Sequence, residues 1–362
     1  MKKQTRAPVW AGLSAAAAMV VAAVGSQAQT AKPTFTADGV VHVPAFDLPP
    51  SSLSSPQAQG MQKMRARMGG MAPPASENIA LSRANLEKML APQVAMTRQR
   101  YPVDVAEQKV AGVPVRIVTP QGKPFDRERV LINLHGGAFS MCADACALLE
   151  SIPISVLGGY KVVSVNYRMA PEAQHPAGVE DVAAVYGELL KTYKPQHIGI
   201  YGCSAGGALT AETAAWLPAH GLPQAGAVGV FGSGGVRFET GDSAYIAGYI
   251  DGSFPPPPPA GQPKADLTHG YFAKADPADP MISPALHPEL MAKFPPTLII
   301  TGTRAMDMSP AVYTNSQLLK AGVRSTLVVG EGMGHCYIYT AMLPEAQDAY
   351  QVIIDFFRKN LD

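Results

Sequence analysis

Six short runs along the chain are almost wholly apolar and rich in β-branched residues. They are VLINL (130–134), KVVSVNY (161–167), IGIYG (198–202), AVGVFG (227–232), TLIITG (297–302) and STLVVG (325–330). A strand with one wet face alternates polar and apolar residues, so unbroken apolar runs predict strands buried on both faces. Between them lie stretches of helical period: Gly178 to Lys191, Ala205 to Leu217, Pro310 to Ala321 and Pro344 to Asn360. Strand and helix therefore alternate, which predicts a mostly parallel central sheet covered by helices on both faces, an α/β architecture. Two stretches break the rhythm. Residues 29 to about 75 are rich in Pro, Ser, Gln and Ala and read as an arm or flap, within which Met61, Met64, Met68 and Met71 fall at helical spacing. Residues 233 to 294, with five consecutive prolines at 255–259, read as a lid-like insertion, since polyproline cannot join a sheet.

The first 28 residues stand apart from the fold. Lys2, Lys3 and Arg6 precede an apolar run from Val9 to Val24, and Ser26-Gln27-Ala28 places small residues at −3 and −1 of a cleavage site. The run is about 16 residues, short of the ~20 that span a bilayer, so it reads as a secretory leader and predicts export to periplasm or medium. No later segment is apolar enough to span a membrane. The chain has 29 Lys+Arg and 28 Asp+Glu, a net charge of +1. The leader holds three of the cations and no acid, which leaves 26 against 28, or −2, in the remainder. Without a basic stripe, nothing neutralises a phosphate backbone, and nucleic acid is excluded as a partner. At 47% hydrophobic and only 16% charged, the 362-residue chain is that of a large packed core.

Export also bears on the four cysteines. Cys142 and Cys146 are close enough in sequence to bridge locally, whereas Cys203 and Cys336 read as buried free thiols. No paired CxxC exists, so no metal site is expected.

Candidate chemistry concentrates at strand ends. Gly202-Cys203-Ser204-Ala205-Gly206 is a GxSxG following one predicted strand and opening a helix. There the glycines permit a turn sharp enough to present the Ser204 hydroxyl, and the helix N-terminus lends it positive dipole. About 70 residues earlier, His135-Gly136-Gly137-Ala138 follows another strand. Acyl transfer builds negative charge on a carbonyl oxygen, and the amides of Gly136, Gly137, Ala138 and Ala205 are the expected donors to it. His335, in the glycine-flanked loop after the last strand, is placed to serve as base, while His135 reads as a scaffold and His175 as loop packing. The carboxylate that orients His335 should follow TLIITG, where Asp307 is the single acid before Gly330; Glu331 is a competitor by position. The order Ser204, Asp307, His335 is that of an α/β-hydrolase.

HGGAF, GCSAGG, VVSVNYRMAPEAQHPAGVEDVAA, ADPADPMISPAL and GMGH together resemble the bacterial hormone-sensitive-lipase-like esterases of the α/β-hydrolase fold, from Val105 to the C-terminus. The resemblance implies hydrolysis of small carboxylic esters, short to medium in acyl chain, through a covalent acyl-enzyme, with no cofactor and a cap built partly from the N-terminal segment. It divides the chain into a leader (1–28), an arm and cap segment (29–104) and a hydrolase domain (105–362). Three positions depart from the family pattern: Ala138 replaces a third glycine, Cys203 replaces an acid before the serine, and Ala305 occupies the usual place of the acid, two residues before Asp307. The same fold also houses peptidases and amidases, and a silent binding homologue would keep the pocket; labelling by a fluorophosphonate separates enzyme from binder.

Overall fold

The computed structural model describes residues 32–67, 78–247, 250 and 266–362. The segment expected as a leader (1–28), Met68, Met71 and the proline run at 255–259 lie outside the described residues. The chain divides into two units at Pro49. In the first, β1 (Thr34–Phe35) and β2 (Val41–His42) pair antiparallel as a small exposed hairpin.

In the second unit the described residues form an eight-stranded sheet. Its strands are β3 (Val103–Val110), β4 (Val113–Pro120), β5 (Asp126–Leu134), β6 (Tyr160–Val165), β7 (Ile198–Cys203), β8 (Ala227–Phe231), β9 (Thr297–Gly302) and β10 (Ser325–Gly330). Their order is β10-β9-β8-β7-β5-β6-β4-β3, parallel except where β4 meets β3 and β6. All six runs expected as strands lie in the sheet. Among the described residues the helices longer than one turn are α1 (Pro56–Arg67), α2 (Ile79–Arg100), α3 (Ala145–Gly158), α4 (Ala177–Leu189), α5 (Ala205–Ala219), α6 (Met308–Lys320) and α7 (Pro344–Asn360).

The pleat explains the unbroken apolar runs. Val130, Ile132 and Leu134 of β5 pack with Val182 of α4, Leu209 of α5 and Leu318 of α6 on one face. Leu131, between them, joins Ile152 of α3 and Ile353 and Phe357 of α7 on the other. Successive side chains point to opposite faces, and both faces are covered, so apolar residues fill consecutive positions, and the polar exception, Asn133, is hydrogen-bonded inside to Glu150.

Three helices were not marked by the pattern. α3 carries ten buried residues and an internal Pro153, so it has no polar stripe from which a period could be read. α2, by contrast, is largely exposed, with one buried residue. α1 falls inside the stretch read as an arm: it is anchored by Ser55, whose amide and hydroxyl donate to Glu345 at 2.6 and 3.0 Å, and by buried Ala58. Met61 packs on the core while Met64 is exposed.

Candidate active site

The sharpest local geometry is at the end of β7. Ser204 adopts φ 60°, ψ −123° between the strand and α5, a sparsely populated conformation that costs a side-chain-bearing residue roughly 1–3 kcal/mol. The turn fits only because its neighbours lack side chains: a Cβ on Gly206 would lie 1.7 Å from the Leu134 carbonyl oxygen, and one on Gly202 2.2 Å from it. The Ser204 amide donates to Phe231 O at 2.9 Å, which ties the elbow to β8.

His335 Nε2 lies 2.8 Å from Ser204 Oγ, and His335 Nδ1 2.6 Å from Asp307 Oδ1. An ionised carboxylate only accepts, so the hydrogen sits on Nδ1 and leaves Nε2 free to accept from the serine. Thr301 Oγ1 donates to Asp307 Oδ2 at 2.5 Å. Asp307 is fully buried, and the imidazole keeps a small exposed edge.

The two-residue displacement of Asp307 from the position of Ala305 is absorbed by a turn. Ala305 N donates to Gly302 O and Arg304 N to Met333 O, so the chain folds back before Asp307 opens α6. Although it stands at the helix N-cap, the Asp307 side chain makes no cap hydrogen bond; its oxygens are committed to His335 and Thr301. Glu331 is elsewhere: it accepts from Ser51 Oγ at 2.7 Å.

The loop after β5 lies beside the elbow, with Gly137 at φ 115° and only 1.9 Å between its would-be Cβ and Met141 O. Ala138 takes φ 54°, a left-handed conformation that the missing glycine would have entered without strain. Of the four amides expected to face an oxyanion, that of Gly136 is already engaged. It donates to Glu150 Oε1 at 2.9 Å, because the loop turns its first N–H down onto a buried carboxyl. The amides of Gly137, Ala138 and Ala205 make no hydrogen bond among the described residues. His135 is a scaffold: its ring is buried, stacked on Tyr167 at 4.4 Å, and burial pushes its pKa down to about 4.

Glu150, on α3, has no sequence signature and lies beneath these groups. Burial pushes its carboxyl up to about 7, against the pull of the donors around it.

The cysteines bring a correction. Cys142 and Cys146 form the local bridge that their spacing allows, but Cys203 and Cys336 are bonded to each other rather than free, with their Cα atoms 6.2 Å apart. Separated by 133 residues, they meet because β7 and the His335 loop converge at the same end of the sheet. The bond joins the residue before Ser204 to the residue after His335. Cross-links that close long loops restrict the unfolded chain most, so the double variant Cys203→Ala/Cys336→Ala is expected to lose roughly 2–4 kcal/mol of stability. Urea unfolding without reductant measures this, and an unchanged midpoint would count against it.

Beside His335 is an aromatic cleft. Phe238 stands edge-on to His335 at 6.2 Å, and Phe139, Ala208, Val236 and Phe272 continue the wall. His175, expected in a loop, is nearly buried against Phe272 and 3.7 Å from Glu212. Among the described residues no cluster of three or more His, Cys, Asp or Glu could hold a metal, and no helix is long and apolar enough to cross a membrane.

A parallel sheet with a serine on a strand-to-helix elbow, and a histidine and aspartate on later loops, defines an α/β-hydrolase. The family profile for the alpha/beta hydrolase fold matches residues 131–339. An acetyl-hydrolase of Streptomyces hygroscopicus is 30% identical over 64% of this chain and 75% of its own length. Carboxylesterase NlhH of Mycobacterium tuberculosis is 30% identical over 39% of this chain and 46% of its own. The crystal structure of an esterase from the bacterial hormone-sensitive lipase family superposes with a TM-score of 0.71 at 26% identity, covering 84% of this chain and 97% of that one. The chain belongs to the α/β-hydrolase family, among the bacterial hormone-sensitive-lipase-like carboxylic ester hydrolases.

Proposed function

We propose that this carboxylic ester hydrolase is an exported serine esterase that cleaves short to medium acyl esters through an acyl-enzyme on Ser204. The observation that carries the mechanism is the continuous hydrogen-bonded line Asp307–His335–Ser204. His335 Nε2 takes the Ser204 proton as Oγ attacks the ester carbonyl, and Asp307 stabilises the imidazolium that results. The oxyanion is received by the open amides of Gly137, Ala138 and Ala205. His335 then protonates the departing alcohol, and water, deprotonated by the same imidazole, releases the acid and restores Ser204.

Support for small substrates comes from the narrowness of the cleft beside His335, walled by Phe139, Phe238 and Phe272. In a p-nitrophenyl ester series, kcat/KM is expected to peak at short or medium acyl chains. Faster hydrolysis of emulsified long-chain triglyceride than of soluble butyrate would overturn this. Support for export comes from the leader and from two disulfides, which persist in oxidising compartments. N-terminal sequencing of the mature protein should begin at Gln29; a mature chain beginning at Met1 would contradict the leader.

A further inference from the structure

The geometry points to Glu150 as the positioning residue of the catalytic loops, a buried carboxylate that holds the oxyanion loop, the nucleophile strand and the segment after His335 in one register. Four donors converge on it from three segments of the chain. Oε1 accepts from the Gly136 amide at 2.9 Å and from Tyr339 Oη–H at 2.7 Å. Oε2 accepts from Asn133 Nδ2 at 2.7 Å and from the Cys203 amide at 3.1 Å. A carboxylate has about four lone-pair sites, so each oxygen is filled.

The placement of the donors gives the residue its role. Gly136 immediately precedes the first open amide of the oxyanion loop, Cys203 immediately precedes Ser204, and Tyr339 lies four residues after His335. Asn133 is itself held by Ser164 of the neighbouring strand, whose hydroxyl donates to Asn133 Oδ1 at 2.7 Å. The Tyr339 hydroxyl also lies where a Cβ on Gly136 would be, 2.4 Å away, so the first loop position has no room for a side chain. An oxyanion hole works only if its donors are aimed before charge develops. Glu150 touches no reacting atom; it fixes the peptides on either side of those that do.

The chemistry of the side chain matters as much as its shape. All four partners donate, and the two backbone amides, Gly136 on Oε1 and Cys203 on Oε2, leave no way to reverse the bond at either oxygen without moving the chain. An isosteric glutamine would turn one acceptor oxygen into a donor facing donors, which forces the loop away. Removing a buried acceptor from several donors costs far more than its hydrogen bonds are worth when made.

This inference rests on the serine-esterase reading, and the test keeps the two apart. In the full chain, Glu150→Gln is expected to lower kcat for p-nitrophenyl butyrate by ~10²-fold, the scale of losing one oxyanion donor, with KM changed less than about twofold. The Ki of a trifluoromethyl ketone, which adds to the serine as a tetrahedral oxyanion, should weaken in proportion to kcat/KM. A merely structural role would lower the amount of folded protein and leave the Ki of the folded fraction unchanged. Tyr339→Phe, which deletes one donor and keeps the carboxylate, should give a smaller loss in kcat and Ki, about 3- to 10-fold. Should Glu150→Gln fail to fold, Tyr339→Phe decides, and wild-type kcat and Ki in that variant would overturn the inference. Wild-type kcat and Ki in a folded Glu150→Gln would do the same. A wild-type protein that neither hydrolyses the ester nor reacts with a fluorophosphonate would instead overturn the esterase reading.

Discussion

Ser204→Ala is expected to abolish ester turnover, with a loss on the order of 10⁶ in kcat, because removing the nucleophile of a triad leaves only binding and the oxyanion donors. The protein should remain folded. Ser204 makes its side-chain hydrogen bond to His335 and is only partly buried, so the lost hydroxyl leaves no large cavity. Its strained backbone is equally strained in alanine, which also carries a Cβ. Circular dichroism and the thermal midpoint should match those of the parent, while fluorophosphonate labelling disappears. Retained turnover in a folded variant would remove Ser204 from the mechanism.

The second large effect concerns the orientation of the base. Asp307→Asn is expected to lower kcat by as much as ~10⁴. The asparagine amide would place a donor 2.6 Å from His335 Nδ1, the distance now held by Oδ1. The imidazole answers by moving its hydrogen to Nε2, and a protonated Nε2 cannot accept from Ser204. Thr301, now donating to Oδ2, would favour the asparagine oxygen on its own side and so fix the amide in the damaging orientation. Glu331→Gln should change kcat by less than about twofold, since Glu331 meets Ser51 and not the imidazole. The two variants, measured side by side with p-nitrophenyl butyrate, assign the acid. Comparable losses in both, or a loss greater in Glu331→Gln, would reverse the assignment.

The sequence by itself determined the sheet and the three residues that line up on it. Each central strand is buried on two faces, so apolar side chains are required at consecutive positions, and that requirement is visible without any knowledge of partners. Ser204 and His335 are legible for a related reason. Gly202 and Gly206 flank Ser204 within the same few residues and so leave a local pattern, although what a Cβ on Gly206 would strike, the Leu134 carbonyl oxygen at 1.7 Å, lies on β5.

What only the tertiary structure decided is what depends on segments distant in the chain. Asp307 could be reached by elimination, but the turn that carries it back to His335 is held by Arg304 N on Met333 O, a bond to a separate loop. The Cys203–Cys336 bond exists because two strand ends meet, and no spacing records a meeting of residues 133 apart. The Gly136 amide looked open because its acceptor lies on α3, whose continuous burial erased the period that would have announced the helix. Glu150 shows the limit most clearly: within its own helix it is one acid among apolar residues, and its role arises from four donors that other segments bring to it. The alternation of faces along a strand and the glycines of a turn are written in consecutive residues, whereas the partners of hydrogen bonds and disulfides are chosen in space, and a sequence displays only the first kind directly.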